Sequence, residues 1–408
     1  MWMTPDPAAA LCRVTPATSR KLLAVRILGI IIIWTSASGV TTWAQAPPST
    51  RSPEPDSATL RRHVEFLASA ECGGRSGPGA IKAAEYIRGH FRALGLAPLF
   101  PGGMDQVIPG EAPGTVDGVN LGVKIEGADP RLREEWVIVS AHYDHLGIRD
   151  GRLYPGADDN ASGVAMLLEV SRVLAQDAVR PRRSLMLVAF DLEEKGLRGS
   201  RKFVAHPPVP LDRVKLFITA DMLGRSLGGV CQSQVFVMGT ENHPDTRDWL
   251  KRAARGKPVS LAMIGTDIVG TRSDYGPFRA KRIPFLFFST GESPAYHTPD
   301  DVAETLDSDK HHAAVGVISE IVRQATSTEK LPDWHSEAAP SLDEANALRA
   351  VFQKLLEHRE QLRIGNFQAR IITQSLDTLD QAIARGGWTA AERTAVVRVA
   401  QFIMVSVF

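Results

Sequence analysis

The 408-residue sequence has few cysteines, few aromatic residues and no excess charge of either sign. Its 3 cysteines include no Cys-x-x-Cys pair, so a disulfide framework and a cysteine-based metal site are both excluded. The 47 basic and 46 acidic residues give a net charge of +1, without the basic excess typical of nucleic-acid binding. A composition of 44% hydrophobic and 23% charged residues indicates a globular protein. The sequence leaves open whether Cys72 and Cys231 form a disulfide or stay free.

The N-terminal region lacks an apolar run of the ~20 residues that a membrane-spanning helix needs. Its apolar segment, 27–34, follows a basic stretch at 20–26 and precedes an Ala-Gln-Ala sequence at 44–46. A basic region, a short apolar core and small residues at a cleavage site are typical of a secretory signal. We therefore predict that 1–46 is a signal peptide and that the protein is exported to the periplasm or outside the cell. An uncleaved membrane anchor is the alternative.

The segment 58–326, which follows a proline-rich flexible lead-in at 47–57, alternates between short apolar runs and helical patterns. Nearly continuous apolar strands alternating with helices are typical of a mostly parallel sheet covered on both faces. We therefore predict a doubly wound α/β domain over 58–326. The strand-like runs lie at 136–140, 184–190, 215–220, 235–238 and 283–288, and the clearest helical patterns at 58–69, 80–95 and 163–177.

The region after a polar linker at 327–340 contains only helical patterns. Residues 341–344 and 389–392 match the capping-box sequence, in which two side chains cap the start of a helix reciprocally. We predict a three-helix C-terminal extension over 341–408. Its last apolar stretch is expected to be buried against the main domain, and binding of a partner protein is the alternative.

Ionisable residues cluster where the predicted strands end, which is the edge at which open α/β sheets bind ligands. Histidine and carboxylate ligands of this kind suit Zn, Co or Mn, and more than four of them indicate two metal ions bridged by one carboxylate. One of two adjacent glutamates can bind metal and leave the other free to take a proton from water. Each motif alone is commonly a surface loop or a helix cap, so the prediction rests on their occurrence together. A bridging carboxylate must be short and rigidly held, and Asp158 or Asp159 fits that position. The clustered residues are His142, Asp144, His145, Asp158, Asp159, Asp191, Glu193, Glu194, Asp221, Tyr296, His297, Asp300 and Asp301.

Taken together, the motifs resemble the di-zinc aminopeptidase family, whose relatives include the glutamate carboxypeptidases and glutaminyl cyclases. The resemblance covers 58–326 and rests on the stretches 140–147, 156–163, 193–200, 220–224 and 296–301. It implies the zinc exopeptidase fold and two Zn²⁺ ions per chain. The metal ligands that it implies are His142 and Asp221 for one ion, Glu194 and His297 for the other, and Asp159 as the bridge.

The resemblance also implies the catalytic roles. Glu193 is expected to be the general base, Asp144 to orient a histidine ligand, and Tyr296 to stabilise the tetrahedral oxyanion. One segment, 272–278, departs from the family pattern because Tyr275 stands where a histidine is usual, which leaves substrate preference open.

The function that we expect is an exported zinc-dependent aminopeptidase, which removes N-terminal residues from peptides by means of metal-activated water. Glutaminyl cyclisation, a dipeptidase or carboxypeptidase activity on the same fold, and a non-catalytic binding protein remain alternatives. Peptides are the expected partners. We expect no nucleic acid and no integral membrane domain after signal removal.

Overall fold

A nine-stranded mixed sheet runs through the structure, a computed structural model that describes residues 52–336 and 340–408. The predicted signal peptide lies outside the described residues. No helix in the described part of the chain combines the length and the apolar character needed to cross a membrane. The strands are β1 (Ala97–Pro98), β2 (Asp105–Pro109), β3 (Val116–Ile125), β4 (Trp136–His142), β5 (Gly147–Arg149), β6 (Arg152–Tyr154), β7 (Ser184–Phe190), β8 (Val214–Ala220), β9 (Gln234–Met238), β10 (Ser260–Met263) and β11 (Phe285–Ser289).

The strand order is β1-β3-β7-β4-β8-β11-β9-β10, with β2 also paired to β3, while β5 and β6 form a separate hairpin. The four central strands β7, β4, β8 and β11 are parallel, as predicted. The strands beside them are antiparallel, because β3 pairs antiparallel with β7 and β9 with β11. The apolar pattern did not predict β3, since Gly118, Asn120 and Gly122 interrupt it with residue types that are depleted in strands.

The central strands are apolar along their whole length because both faces of the sheet are covered. In β4, Val137 and Val139 point into one core cluster, and Trp136 and Ile138 point into the other. Every residue of β4 and of β7 is buried. This two-sided burial is what made these strands predictable from sequence.

Eleven helices in the described residues form the layers on the two faces of the sheet. The predicted helices 58–69, 80–95 and 163–177 agree with α1, α2 and α3 to within two residues at each end. The helices are α1 (Ser57–Leu67), α2 (Pro78–Ala93), α3 (Gly163–Ala175), α4 (Arg198–Ala205), α5 (Thr246–Ala253), α6 (Thr266–Val269), α7 (Tyr275–Ala280), α8 (Ser308–Ser327), α9 (Leu342–Glu357), α10 (Asn366–Arg385) and α11 (Ala390–Val407).

The three C-terminal helices are present, and they join the core on the second face of the sheet. Phe352 of α9, Ile372 of α10 and Ile403 of α11 belong to the same buried cluster as Phe217 of β8 and Phe287 of β11. One side of the last helix, which carries Val396, Ala400 and Ile403, is therefore buried within the chain, on the face of the sheet that α4 and α7 also cover.

Only one of the two predicted capping boxes forms. Thr389 and Glu392 cap α11 reciprocally, whereas at α9 only the Ser341 side chain caps the helix. The Glu344 carboxylate instead accepts from the Gly265 backbone N–H at 2.9 Å and pairs with Arg393 at 2.6 Å. A charged partner and a buried N–H therefore outcompete the cap for this carboxylate.

Cys72 and Cys231 are free thiols. Both are buried, but Cys72 lies in the cluster on one face of the sheet and Cys231 in the cluster on the other. The sheet separates the two sulfur atoms, so the structure answers the question that the sequence left open.

The stability of the fold is expected to decrease as the pH falls from 6.5 towards 4, because His243 is buried in its neutral form. Its Nε2 accepts a hydrogen bond from the Phe285 backbone N–H at 3.1 Å, and burial lowers the pKa of the imidazole to about 4. The unfolded state binds the proton first, so this residue's contribution is complete above pH 6.5 and is lost on acidification. At about 1.4 kcal/mol per pH unit below 6.5, this residue should lower the free energy of unfolding by about 2 kcal/mol at pH 5.0.

Urea unfolding at pH 7.5 and pH 5.0 measures this effect, with His243→Gln as the comparison. The variant should be less stable at pH 7.5 but should lose about 2 kcal/mol less on going to pH 5.0. Equal losses in the two proteins would assign the acid sensitivity to other groups.

Candidate active site

The carboxyl ends of four parallel strands meet at one edge of the sheet and bring the predicted residues together. His142 at the end of β4 lies opposite Phe190 of β7, and Ala220 of β8 lies opposite Phe288 of β11. The chain segments that leave these strands carry Glu193, Glu194, Asp221 and His297. Their meeting follows from the parallel register rather than from any local sequence pattern.

Two groups of side chains that could bind metal share Asp159. His142 Nε2 lies 3.4 Å from Asp159 Oδ1 and 3.3 Å from Asp221 Oδ1. On the other side, His297 Nε2 lies 3.0 Å from Asp159 Oδ2 and 3.4 Å from Glu194 Oε2. Oδ1 of Asp159 therefore faces His142, whereas Oδ2 faces His297 and has His145 at 3.9 Å, so the two oxygens serve different groups, as a bridging carboxylate requires. All five predicted ligands occupy this arrangement.

These side chains fit a pair of zinc ions. Nitrogen and oxygen ligands of a tetrahedral zinc ion are about 3.3 Å apart, which matches the separations within both groups. The carboxyl groups of the site are buried close to one another. Burial together with the nearby carboxylates raises the pKa of Glu193 to about 10. Burial raises the pKa of Asp159 as well. Cations between these carboxylates would remove the cost of burying like charges together.

The loop that carries Asp159 is held from two sides. The fully buried Arg75 guanidinium donates to the carbonyl oxygens of Pro155, Gly156 and Asp159 at 2.6, 2.7 and 2.9 Å. The Asp301 carboxylate accepts from the Asp159 backbone N–H at 3.1 Å. Sequence analysis assigned no role to Arg75 or to Asp301, because their partners in the Asp159 loop lie about 80 and 140 residues away.

Asp144 acts on the neighbouring turn as well as on His142. Its carboxylate accepts from the backbone N–H groups of Glu193 at 3.0 Å and Glu194 at 3.2 Å. The His142 Nδ1 atom lies 3.6 Å from that carboxylate and 3.2 Å from the Asp144 backbone oxygen. The atom of Asp144 at hydrogen-bond distance from His142 is therefore the backbone oxygen, and the orienting role of the Asp144 carboxylate stays a prediction.

The two adjacent glutamates differ in their surroundings. Glu194 forms, with Asp159 and His145, a group of side chains that could hold a metal ion, and its carboxylate also accepts from His145. The Glu193 carboxylate takes part in no hydrogen bond or ion pair with any side chain or backbone group of the described residues, and it lines the cavity beside the ligands. The structure thus leaves Glu193 available for proton transfer.

Tyr296 and His297 lie side by side at the mouth of the site. Their rings stack with centroids 3.9 Å apart, and both line the same cavity. Burial and the nearby carboxylates raise the pKa of Tyr296, so its hydroxyl stays protonated and can donate a hydrogen bond.

Four residues in or next to these motifs have a left-handed backbone. The φ angles of Leu192, Leu197, Met222 and His297 are 58°, 60°, 61° and 53°. Each such conformation costs roughly 1–3 kcal/mol in a residue other than glycine and is retained where the surroundings enforce it. Leu192 precedes Glu193 and Met222 follows Asp221, so this strain is concentrated at the site.

His145 is a residue of the site to which sequence analysis assigned no role. Its Nδ1 lies 2.8 Å from Glu194 Oε1 and 3.9 Å from Asp159 Oδ2, and its ring is fully buried. Its Nε2 has no hydrogen-bond partner among the described residues. The available signal was the His-x-x-His spacing of 142 and 145 at the end of a strand, of which only the first histidine was used.

Tyr275, in contrast, lies away from the site. It is fully buried, and its ring stacks on Phe285 with centroids 5.1 Å apart. The segment 272–278 does approach the cavity, but through Arg272, which lines it. The departure from the family pattern at Tyr275 is therefore a difference in the core.

A cavity of about 120 Å³ opens beside the predicted ligands. Charged and polar side chains surround the part nearest the metal-binding groups, and apolar side chains of the sheet and the C-terminal helices line the remainder. Its charged and polar lining residues are Asp159, Glu193, Glu194, Asp221, Arg272, Ser289, Glu292, Tyr296 and His297.

Known proteins share both the sequence features and the fold. Residues 120–322 match the model of peptidase family M28. The aminopeptidase YwaD of Bacillus subtilis is 29% identical over 204 residues, which cover 48% of this chain and 42% of YwaD. This chain therefore spans less than half of that relative's length.

Two solved structures show the same fold at low sequence identity. The aminopeptidase from Aneurinibacillus sp. strain AM-1 matches with a TM-score of 0.54 and 17% identity, covering 69% of this chain and 97% of that protein. The glutaminyl cyclase of Porphyromonas gingivalis matches with a TM-score of 0.55 and 18% identity, covering 66% of this chain and 98% of that protein. From the family match and the shared fold we conclude that this chain belongs to peptidase family M28.

Proposed function

We propose that this protein is an exported zinc-dependent aminopeptidase that hydrolyses the N-terminal peptide bond of peptides. The observation that carries the proposal is the shared Asp159, whose two oxygens face two separate His–carboxylate groups beside the unengaged Glu193. The aminopeptidases among its relatives support the choice of the amino end.

The zinc ions would be held by His142 and Asp221 on one side and by Glu194 and His297 on the other, with Asp159 between them. When bound, they would lower the pKa of water and polarise the scissile carbonyl group. Glu193 would accept the proton of the attacking water and return it to the leaving amine.

Three further groups of this chain support the reaction. The Tyr296 hydroxyl would donate to the oxyanion as negative charge develops on it. Asp144 holds the backbone of the Glu193–Glu194 turn, which places the base and a ligand together. His145 donates to Glu194 and so restricts the orientation of its carboxylate.

The shape of the cavity favours an exopeptidase. Its apolar part is lined by buried side chains such as Phe352 and Ile403, which offer an apolar surface to one terminal side chain. A single terminal side chain can enter, while the rest of the peptide remains on the solvent side. The predicted signal at 1–46 would deliver the enzyme to an extracytoplasmic compartment where peptides are its substrates.

The test is hydrolysis of aminoacyl p-nitroanilides by the purified exported protein, with metal content measured on the same sample. We expect about two zinc ions per chain, loss of activity with a chelator and recovery on adding zinc. An N-acetylated substrate serves as the control and should not be cleaved. A two-zinc protein that releases no product would refute the aminopeptidase proposal, and cyclisation of an N-terminal glutaminyl peptide would replace it with the glutaminyl-cyclase alternative.

A further inference from the structure

We propose that the C-terminal helices α9 and α11 form the specificity pocket of this enzyme and that its substrates carry a long, apolar N-terminal side chain. This inference rests on the proposed aminopeptidase function, because it assigns the substrate class of the same site. It concerns a part of the chain that begins at residue 342, beyond the family match that ends at residue 322.

The first support is that one cavity reaches both the candidate metal site and the C-terminal helices. Glu193, Glu194 and His297 line it, and so do side chains from successive turns of α9 and of α11. A group bound beside the reacting carbonyl would therefore point towards these helices. The lining residues from the two helices and the residue after them are Leu348, Val351, Phe352, Leu355, Ala400, Ile403, Met404 and Phe408.

The second support is chemical. Every residue that this C-terminal region contributes to the lining is apolar, and the sheet adds Phe236, Met238 and Phe287 on the opposite side. A polar or charged side chain would lose its water here and find no partner, which is costly. An aliphatic side chain gains about fourfold in kcat/KM for each buried methylene, equivalent to about 0.8 kcal/mol.

The third support is that ion pairs fix α9 and α11, which line the pocket, in place before substrate binds. Arg393 of α11 pairs with Glu344 of α9 at 2.6 Å and with Asp267 of α6 at 2.7 Å. The Arg393 and Glu344 side chains are only 12% and 7% exposed, so water screens this pair little. Ligand pockets are usually preformed in this way, and an apolar cavity of similar size binds a benzene-sized ligand.

These observations distinguish the pocket from a general hydrophobic site at the metal centre. The alanyl and leucyl side chains would fill only the part near the ligands, whereas a longer chain would also contact α9 and α11. The expected best substrates therefore have N-terminal side chains longer than that of leucine.

The experiment compares hydrolysis of alanyl, leucyl and 2-aminooctanoyl p-nitroanilides by the zinc-loaded full-length protein and three variants. Ala400→Phe places a ring in the cavity, and Met404→Ala enlarges it. Val405→Ala is the matched control on the same helix, since Val405 is 83% exposed. Folding of each variant is checked by its thermal unfolding transition.

We expect kcat/KM of the wild-type protein to be at least about tenfold higher for the 2-aminooctanoyl substrate than for the alanyl substrate. Ala400→Phe should lower that ratio at least about tenfold. Met404→Ala should change the ratio of kcat/KM between the leucyl and 2-aminooctanoyl substrates. Val405→Ala should leave both ratios unchanged. A wild-type protein that hydrolyses all three equally, with a ratio unaffected by Ala400→Phe, would overturn the pocket while leaving the aminopeptidase function intact.

Calorimetric binding of free 2-aminooctanoate and free alanine separates the pocket from the chemistry. Tighter binding of 2-aminooctanoate that is lost in Ala400→Phe would support the pocket even in a protein that hydrolyses none of the substrates. Equal binding of both amino acids, or binding unaffected by Ala400→Phe, would overturn it.

Discussion

Replacement of Glu193 by Gln is expected to lower kcat by roughly 10²–10⁴-fold and to leave the zinc content unchanged. The Glu193 carboxylate lines the cavity but lies outside both groups of side chains that could hold a metal ion. An amide of the same shape cannot accept the proton of the attacking water. The loss should therefore appear in the chemical step, with little change in KM.

The neighbouring glutamate provides the matched control. Glu194→Gln changes the same functional group one residue away, but Glu194 is 3.4 Å from His297 Nε2 and belongs to a ligand group. This variant should lose zinc, whereas Glu193→Gln should retain it. Steady-state kinetics and metal analysis on both proteins measure the difference. Full activity in Glu193→Gln, or loss of its metal, would remove Glu193 from the role of base.

Replacement of Asp159 by Ala is expected to abolish binding of both zinc ions and to reduce activity to the background level. Each oxygen of Asp159 serves a different ligand group, so a single truncation removes a ligand from both. Metal binding also stabilises the folded state, by about 4 kcal/mol when the free ion is at 1,000 times its Kd. A chelator should therefore destabilise the wild-type protein and leave Asp159→Ala unaffected.

Asp158→Asn tests whether this effect is specific to the bridging residue. Asp158 is equally buried, but its Oδ1 accepts from the Gly224 backbone N–H at 2.7 Å, a bond that an amide oxygen can keep. We expect this variant to bind both zinc ions. If Asp158→Asn lost the metals and Asp159→Ala kept them, the bridge would have been assigned to the wrong aspartate.

The parallel core and the location of the site were determined by the sequence alone. A strand buried on both faces must be apolar at every position, so the run at 184–190 coincides with β7. Parallel strands must end at a common edge, which is why His142, Asp221 and the two glutamates could be expected to meet. These conclusions need only local patterns and one general rule of sheet topology.

The tertiary structure decided which groups hold these residues in place. Arg75 and Asp301 fix the Asp159 loop, and His145 holds Glu194, through contacts between segments that are distant in sequence. The motifs contain His145 and Asp301, but a sequence pattern does not specify the partner of a buried guanidinium or carboxylate. Only the packed structure brings donor and acceptor within hydrogen-bond distance.

Packing between distant segments also decided the position of the Tyr275 ring and the surface that the C-terminal helices cover. The sequence places Tyr275 in a segment near the site, but the direction in which its ring points depends on the space beside Phe285. The helical patterns at 341–408 predict three helices and their apolar faces, yet an apolar face carries no information about what it covers. The sheet packing decided that part of this face lines the cavity beside the metal site, because burial of apolar area is non-directional and any complementary surface can satisfy it.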